Sequence, residues 1–138
     1  NQMVTSSLLE AEKRLLGLIS QSKKLYKMSS AQIKADEFAT DVYRRLAKSM
    51  YDSYENGMSP DPAMMLNDFS DDDLSEASEV FYNLEVYSGD EETVKELLYT
   101  IKLEKLNMRI NAETDPTNLM DLFKQREELL NEKNTWEE

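Results

Sequence analysis

An all-α fold follows from three observations on this 138-residue sequence. Apolar residues recur at steps of three and four through most of the chain, the period of an amphipathic helix. Only three glycines and three prolines are present, too few for the turns a sheet protein needs. Charged residues fill the positions between the apolar ones, as on the outer face of a helix. The length suits one compact domain, or a small domain with an appendage. The expected organisation is a helical bundle of five to six helices over residues 1–95 and a C-terminal helical hairpin over residues 96–138, its first arm opening near Thr93.

Ser7 and Glu10 have the spacing of a capping box and predict a helix from Ser7. Leu8, Leu9, Ala11, Leu15, Leu16, Leu18 and Ile19 form its wide apolar stripe, and Lys23 and Lys24 suit its C-terminal end. A short second helix over 24–30 offers Leu25 and Met28. Ile33 and Phe38 flank a connection. The third helix, over 40–56, carries Val42, Tyr43, Leu46, Ala47, Met50, Tyr51 and Tyr54 at helical spacing, and Gly57 stops it. Three tyrosines on one stripe read as core with their hydroxyls at the rim, in preference to a base-stacking surface. Asp61 before Pro62 starts a short helix ending near Phe69, with Met64 and Met65 as core filling. Asp71, Asp72 and Asp73 open a fifth helix, where acids favour the N-terminal end of the dipole. Leu74, Ala77, Val80, Phe81 and Leu84 are its expected buried stripe. Val86, Tyr87, Ser88 and Gly89 make the next turn.

The hairpin is the stretch the rest is organised around. Its first arm carries Val94, Leu97, Leu98, Ile101, Leu106 and Ile110, and no Pro or Gly interrupts it, so a continuous helix is expected. The reversal falls at Ala112–Pro116, where Asp115 can cap the second arm and Pro116 takes the first helical position. The second arm carries Leu119, Leu122, Phe123, Arg126, Leu129, Leu130, Lys133 and Trp136. Two helices alone bury little, so part of this stripe is expected to stay open for a partner.

Chemistry is largely excluded. The chain has no histidine, the commonest general base and zinc ligand. It has no cysteine, which rules out disulfides and thiolate chemistry and suits a reducing compartment. The three adjacent aspartates lack the glycine and glutamate of a calcium loop. No phosphate loop, dinucleotide fingerprint or nucleophile elbow occurs, and no carboxylate pair stands out as catalytic. No catalytic residue, metal or cofactor is therefore expected. The net charge of -12 argues against a nucleic-acid surface, and Lys23, Lys24 and Lys27 read as a solvated helix end. No apolar run approaches the ~18 residues of a membrane span. The start lacks the pattern of a signal peptide, and the absence of methionine at position 1 suggests a fragment of a longer protein. A cytoplasmic location is the expectation.

One run goes further than pattern. Ile33, then Phe38-Ala39-Thr40-Asp41-Val42-Tyr43-Arg44-Arg45-Leu46-Ala47, Tyr51, Tyr54-Glu55-Asn56-Gly57, Asp61-Pro62 and Leu66 together resemble the helicase-binding C-terminal domain of bacterial DnaG-type primases. Ala11-Glu12-Lys13-Arg14-Leu15-Leu16 is similar to that family's first helix, and Asp121 to Leu130 to its terminal helix. Tyr43 stands where many relatives have histidine. The N-terminal domain of the DnaB-type replicative helicase is similar in fold and shares the third-helix pattern. The hairpin, and an end soon after Trp136, favour the primase. The resemblance implies a non-catalytic module that docks primase onto the N-terminal domains of the hexameric helicase and modulates it. The partner residues expected are Leu119, Leu122, Phe123, Arg126, Leu130, Lys133 and Trp136. Aromatic anchors such as Phe123 and Trp136 suit an interface, and Arg126 and Lys133 suit acids on the partner. The domain alone is expected to be a monomer with no direct nucleic-acid or membrane contact. The alternatives are the helicase N-terminal domain itself and an unrelated helical scaffold.

Overall fold

The computed structural model describes residues 4–82 and 90–137. Among these, the chain is all α. Its helices are α1 (Ser6–Gln21), α2 (Lys23–Ser30), α3 (Asp41–Glu55), α4 (Pro62–Leu66), α5 (Asp71–Glu79), α6 (Glu91–Ala112) and α7 (Pro116–Asn134). Short 3₁₀ turns occupy Ala35–Glu37 and Thr135–Glu137.

Local capping sets most helix starts. Thr5 Oγ1 accepts from the Leu8 amide at 3.1 Å, so α1 begins ahead of the expected Ser7 box. Ser22 Oγ accepts from the Leu25 amide and separates α1 from α2. Lys23 and Lys24 therefore open α2 and do not close α1. Thr40, Asp61, Asp90 and Asp115 cap α3, α4, α6 and α7 in the same way. Such a cap satisfies an amide that the helix leaves without a partner. Gly57 takes φ of 75°, the left-handed conformation that ends α3 at low cost.

The core lies between α1, α3 and the first half of α6. Leu15, Leu16 and Ile19 of α1 are fully enclosed, as are Leu46, Ala47 and Met50 of α3. Tyr51 and Tyr54 donate their buried hydroxyls to the carbonyls of Ile33 at 2.9 Å and Ile19 at 2.6 Å. Tyr26 stacks on Tyr54, with ring centroids 4.6 Å apart, and meets Tyr51 edge-on. The tyrosines are thus core residues, and the hydroxyls of Tyr51 and Tyr54 lie inside the bundle and not at its rim. Burial raises the pKa of the Tyr43 and Tyr51 phenols.

Two expectations change. Met65 is core but Met64 is exposed, because a short helix turns one adjacent residue inward and the other outward. Leu74 is exposed, whereas Ala77 and Val80 carry the packing of α5. α6 runs unbroken, as expected, and places Val94, Leu97, Leu98 and Ile101 in the bundle core. The expectations for Leu84 and for the turn at Val86–Gly89 lie outside the described residues.

Candidate partner-binding surface

The surface is built from α6 and α7. α6 packs mainly along α1, whereas α7 packs back chiefly on α6. The reversal is held by Glu113, whose Oε1 accepts from the amides of Thr114 and Asp115 at 3.1 and 3.0 Å. Asp115 Oδ2 then accepts from the Asn118 amide at 3.0 Å, and Pro116 takes the first position of α7.

The seam between the arms takes one part of the α7 stripe. Leu122 is 9% exposed and Leu129 is half-buried. Arg126 Nη1 donates to Asn107 Oδ1 at 2.9 Å, and its guanidinium lies 5.1 Å from the Phe123 ring centroid. Lys133 Nζ sits 3.5 Å from Glu96 Oε2 and over the Tyr99 ring at 4.4 Å. Trp136 meets Tyr99 edge-on, centroids 5.6 Å apart, beneath the Lys95 ammonium at 4.6 Å. Leu122, Arg126, Lys133 and Trp136 are thereby engaged within the chain. The physical reason is that α6 presents Asn107, Glu96 and Tyr99 along the line where α7 returns.

The other part of the stripe stays open. Phe123 is 42% exposed, Leu130 is 37% exposed and Leu119 is half-buried. At about 100° per residue these three fall within roughly 40° of one another, on one side of the seam. Met120, 73% exposed, extends the edge. Sequence reasoning passed over Met120 because it stands outside the three- and four-residue steps of the stripe.

Glu12 was missed as well. Its carboxylate is fully enclosed. Oε1 accepts from the Ala39 amide at 2.8 Å, and Lys105 Nζ approaches Oε2 to 3.9 Å, with no hydrogen bond on that oxygen. Burial raises its pKa; the Ala39 hydrogen bond, Lys105 and Arg44 oppose that rise. The signal was present in the sequence, since Glu12 falls four before Leu16 and four after Leu8, inside the apolar stripe. Lys105 also donates to the Glu37 carbonyl, so this group ties α1, α6 and the 35–39 connection together.

Among the described residues, no group of three His, Cys, Asp or Glu is placed to hold a metal ion. No described helix is long and apolar enough to cross a membrane.

The family model for the DnaB-like helicase N-terminal domain matches residues 4–105. The chain belongs to the DnaB-like helicase N-terminal domain family. It is therefore a helicase-associated helical domain of the kind found in DNA replication. The DnaB-like match covers the bundle and ends within α6, so all of α7 lies beyond it. No curated protein and no solved structure matches the chain.

Proposed function

We propose that this DnaB-like domain is the helicase-binding domain of a bacterial DnaG-type primase. It docks primase onto the N-terminal domains of the replicative hexameric helicase and modulates that helicase during priming. It works in the cytoplasm, as a monomer when isolated, and performs no catalysis of its own. The observation that carries the reading is the apolar edge of α7, where Phe123, Leu130 and Met120 are exposed beside the seam with α6. An apolar helix edge of this kind fits against helices of a partner. The family membership supplies the helicase context. The tether has a physical rationale: a bound primase is held near the unwound strand at an effective concentration on the order of mM for a short linker.

The test is calorimetric titration of the helicase ring from the same source with the wild-type chain and with Phe123→Ala. Loss of more than ~2 kcal/mol of binding, with helicity unchanged, is expected for an anchor at the centre of an interface. Unchanged affinity removes Phe123 from the interface. Leu122→Asp is a poorer probe than the open residues, because Leu122 is buried in the seam and its loss disturbs the hairpin itself.

The second reading, the N-terminal domain of the helicase itself, is favoured by the family match at least as strongly. It predicts that the isolated chain assembles into ring-like trimers of dimers. Sedimentation separates the two: a monomer that binds the helicase ring supports the primase reading, and self-assembly supports the helicase reading.

A further inference from the structure

The hairpin has a second face, across the seam from the Phe123 edge. Three clefts of about 400, 390 and 410 Å³ lie along it. They run together, because the first two share Lys102, Leu129 and Glu132, and the last two share Arg109 and Gln125. The result is one groove along the length of the hairpin.

Its two walls carry opposite charge. The α6 wall presents Lys95, Lys102, Lys105 and Arg109, all from one side of that helix. The α7 wall presents Asp121, Gln125, Glu128 and Glu132. The floor is apolar, made by Leu98, Leu106 and Leu129. Such a row of cations is notable in a chain with 28 acidic and 16 basic residues. Two of them meet neutral partners: Lys95 lies over the Trp136 ring, and Lys102 donates to the Gln32 amide oxygen. Their positive charge is thus kept for whatever enters the groove. From Lys95 to Arg109 the wall is about 21 Å long at ~1.5 Å per residue, the length of four helical turns.

We propose that this groove receives an amphipathic helix of a partner protein, with an apolar face bordered by acidic residues on one edge and basic residues on the other. The acidic edge lies along α6 and the basic edge along α7. A helix is favoured over an extended segment because the leucines lining the groove, Leu98 and Leu106 on α6 and Leu122 and Leu129 on α7, stand about two helical turns apart on each arm, which suits ridges set into grooves. The two-signed rim makes the site selective: a helix with one sign on both edges meets a like-charged wall. This inference stands apart from the open α7 edge and from the identity of the protein that edge binds.

The experiment uses the full chain and three synthetic 16-residue helical peptides with the same leucine face. One carries Glu on one edge and Lys on the other; one carries Glu on both; one carries Lys on both. Binding is read at physiological ionic strength by calorimetry and by the fluorescence of Trp136, the chain's single tryptophan, at the end of the groove. The two-signed peptide is expected to bind at least tenfold tighter than either of the others. A second arm uses the double variant Lys102→Glu and Arg109→Glu, which cancels the positive charge of the α6 wall against the remaining Lys95 and Lys105 and leaves the groove net acidic through α7. That variant is expected to prefer the all-Lys peptide, a switch that mere loss of stability does not produce. If the all-Lys peptide already binds wild type best, net charge alone governs association and the groove reading is overturned. It is equally overturned if no peptide binds, or if the double variant keeps the wild-type order of preference.

Discussion

Glu12 puts a carboxylate where its neighbours Leu8, Leu15 and Leu16 are fully enclosed. Its pKa is raised above the ordinary 4.5 chiefly by burial. Below that value the group is neutral in both folded and unfolded chains, and its full contribution to stability is present. As pH rises, the unfolded chain releases its proton first, so stability falls until the folded carboxyl also ionises. Glu12→Gln keeps an acceptor for the Ala39 amide and removes the titration. The urea midpoint of this variant, relative to wild type, is expected to rise between pH 4 and pH 7; a gap that does not vary with pH would refute the assignment. Tyr54 offers a second check at this scale. Tyr54→Phe preserves the ring stack on Tyr26 but removes the shorter of two hydrogen bonds to the Ile19 carbonyl, which keeps the Ser22 amide at 3.4 Å. Denaturant unfolding should show a loss of about 1 kcal/mol.

Helix spans were largely legible because each rests on local chemistry. The 3.6 period, the caps at Thr40, Asp61 and Asp115, and the left-handed Gly57 lie within a few residues of the elements they define. The errors came where two local solutions compete. Thr5 and Ser7 both suit an N-cap, and packing of the first turn against α6, where Thr5 Oγ1 donates to Glu104 Oε2 at 2.9 Å, selects Thr5. At Ser22 a single hydroxyl divides what reads as one basic helix end into two helices. At the element scale the reversal makes a clear prediction. Asp115→Ala removes the cap of α7 and should cost about 1 kcal/mol. Because α7 rests chiefly on α6, hydrogen exchange should quicken at the amides of residues 118–120 while the bundle amides of α1 and α3 stay protected. Uniform acceleration across the chain would mean that α7 is part of the cooperative bundle.

The arrangement of the whole molecule turns on α6, which serves the bundle and the hairpin at once. Its first half supplies Val94, Leu97, Leu98 and Ile101 to the core, and its second half carries α7. A chain ending at residue 112 should therefore keep a single cooperative unfolding transition, with the hairpin seam lost. A chain ending at residue 95 should not, because three large core side chains leave with the tail and each such loss costs about 2–5 kcal/mol against a total of roughly 5–15. Thermal unfolding followed by circular dichroism distinguishes the two; cooperative unfolding of the shorter chain would show that α6 is dispensable to the bundle. The candidate surface was only half legible for the same reason. Periodicity placed Leu119, Phe123 and Leu130 on one stripe with Leu122 and Trp136. It contained nothing to say where along that stripe α6 would lie.

What the sequence by itself determined is the all-α class, the extent of most helices and the position of the reversal, since each depends on residues within a turn or two of one another. The third-helix pattern also pointed to the helicase-associated family. Tertiary structure alone decided which edge of α7 stays open, that Lys133 and Trp136 turn inward to Glu96 and Tyr99, and that Glu12 is enclosed. Those outcomes depend on which helix face meets another across long stretches of chain, and a periodic stripe is equally satisfied by many such meetings.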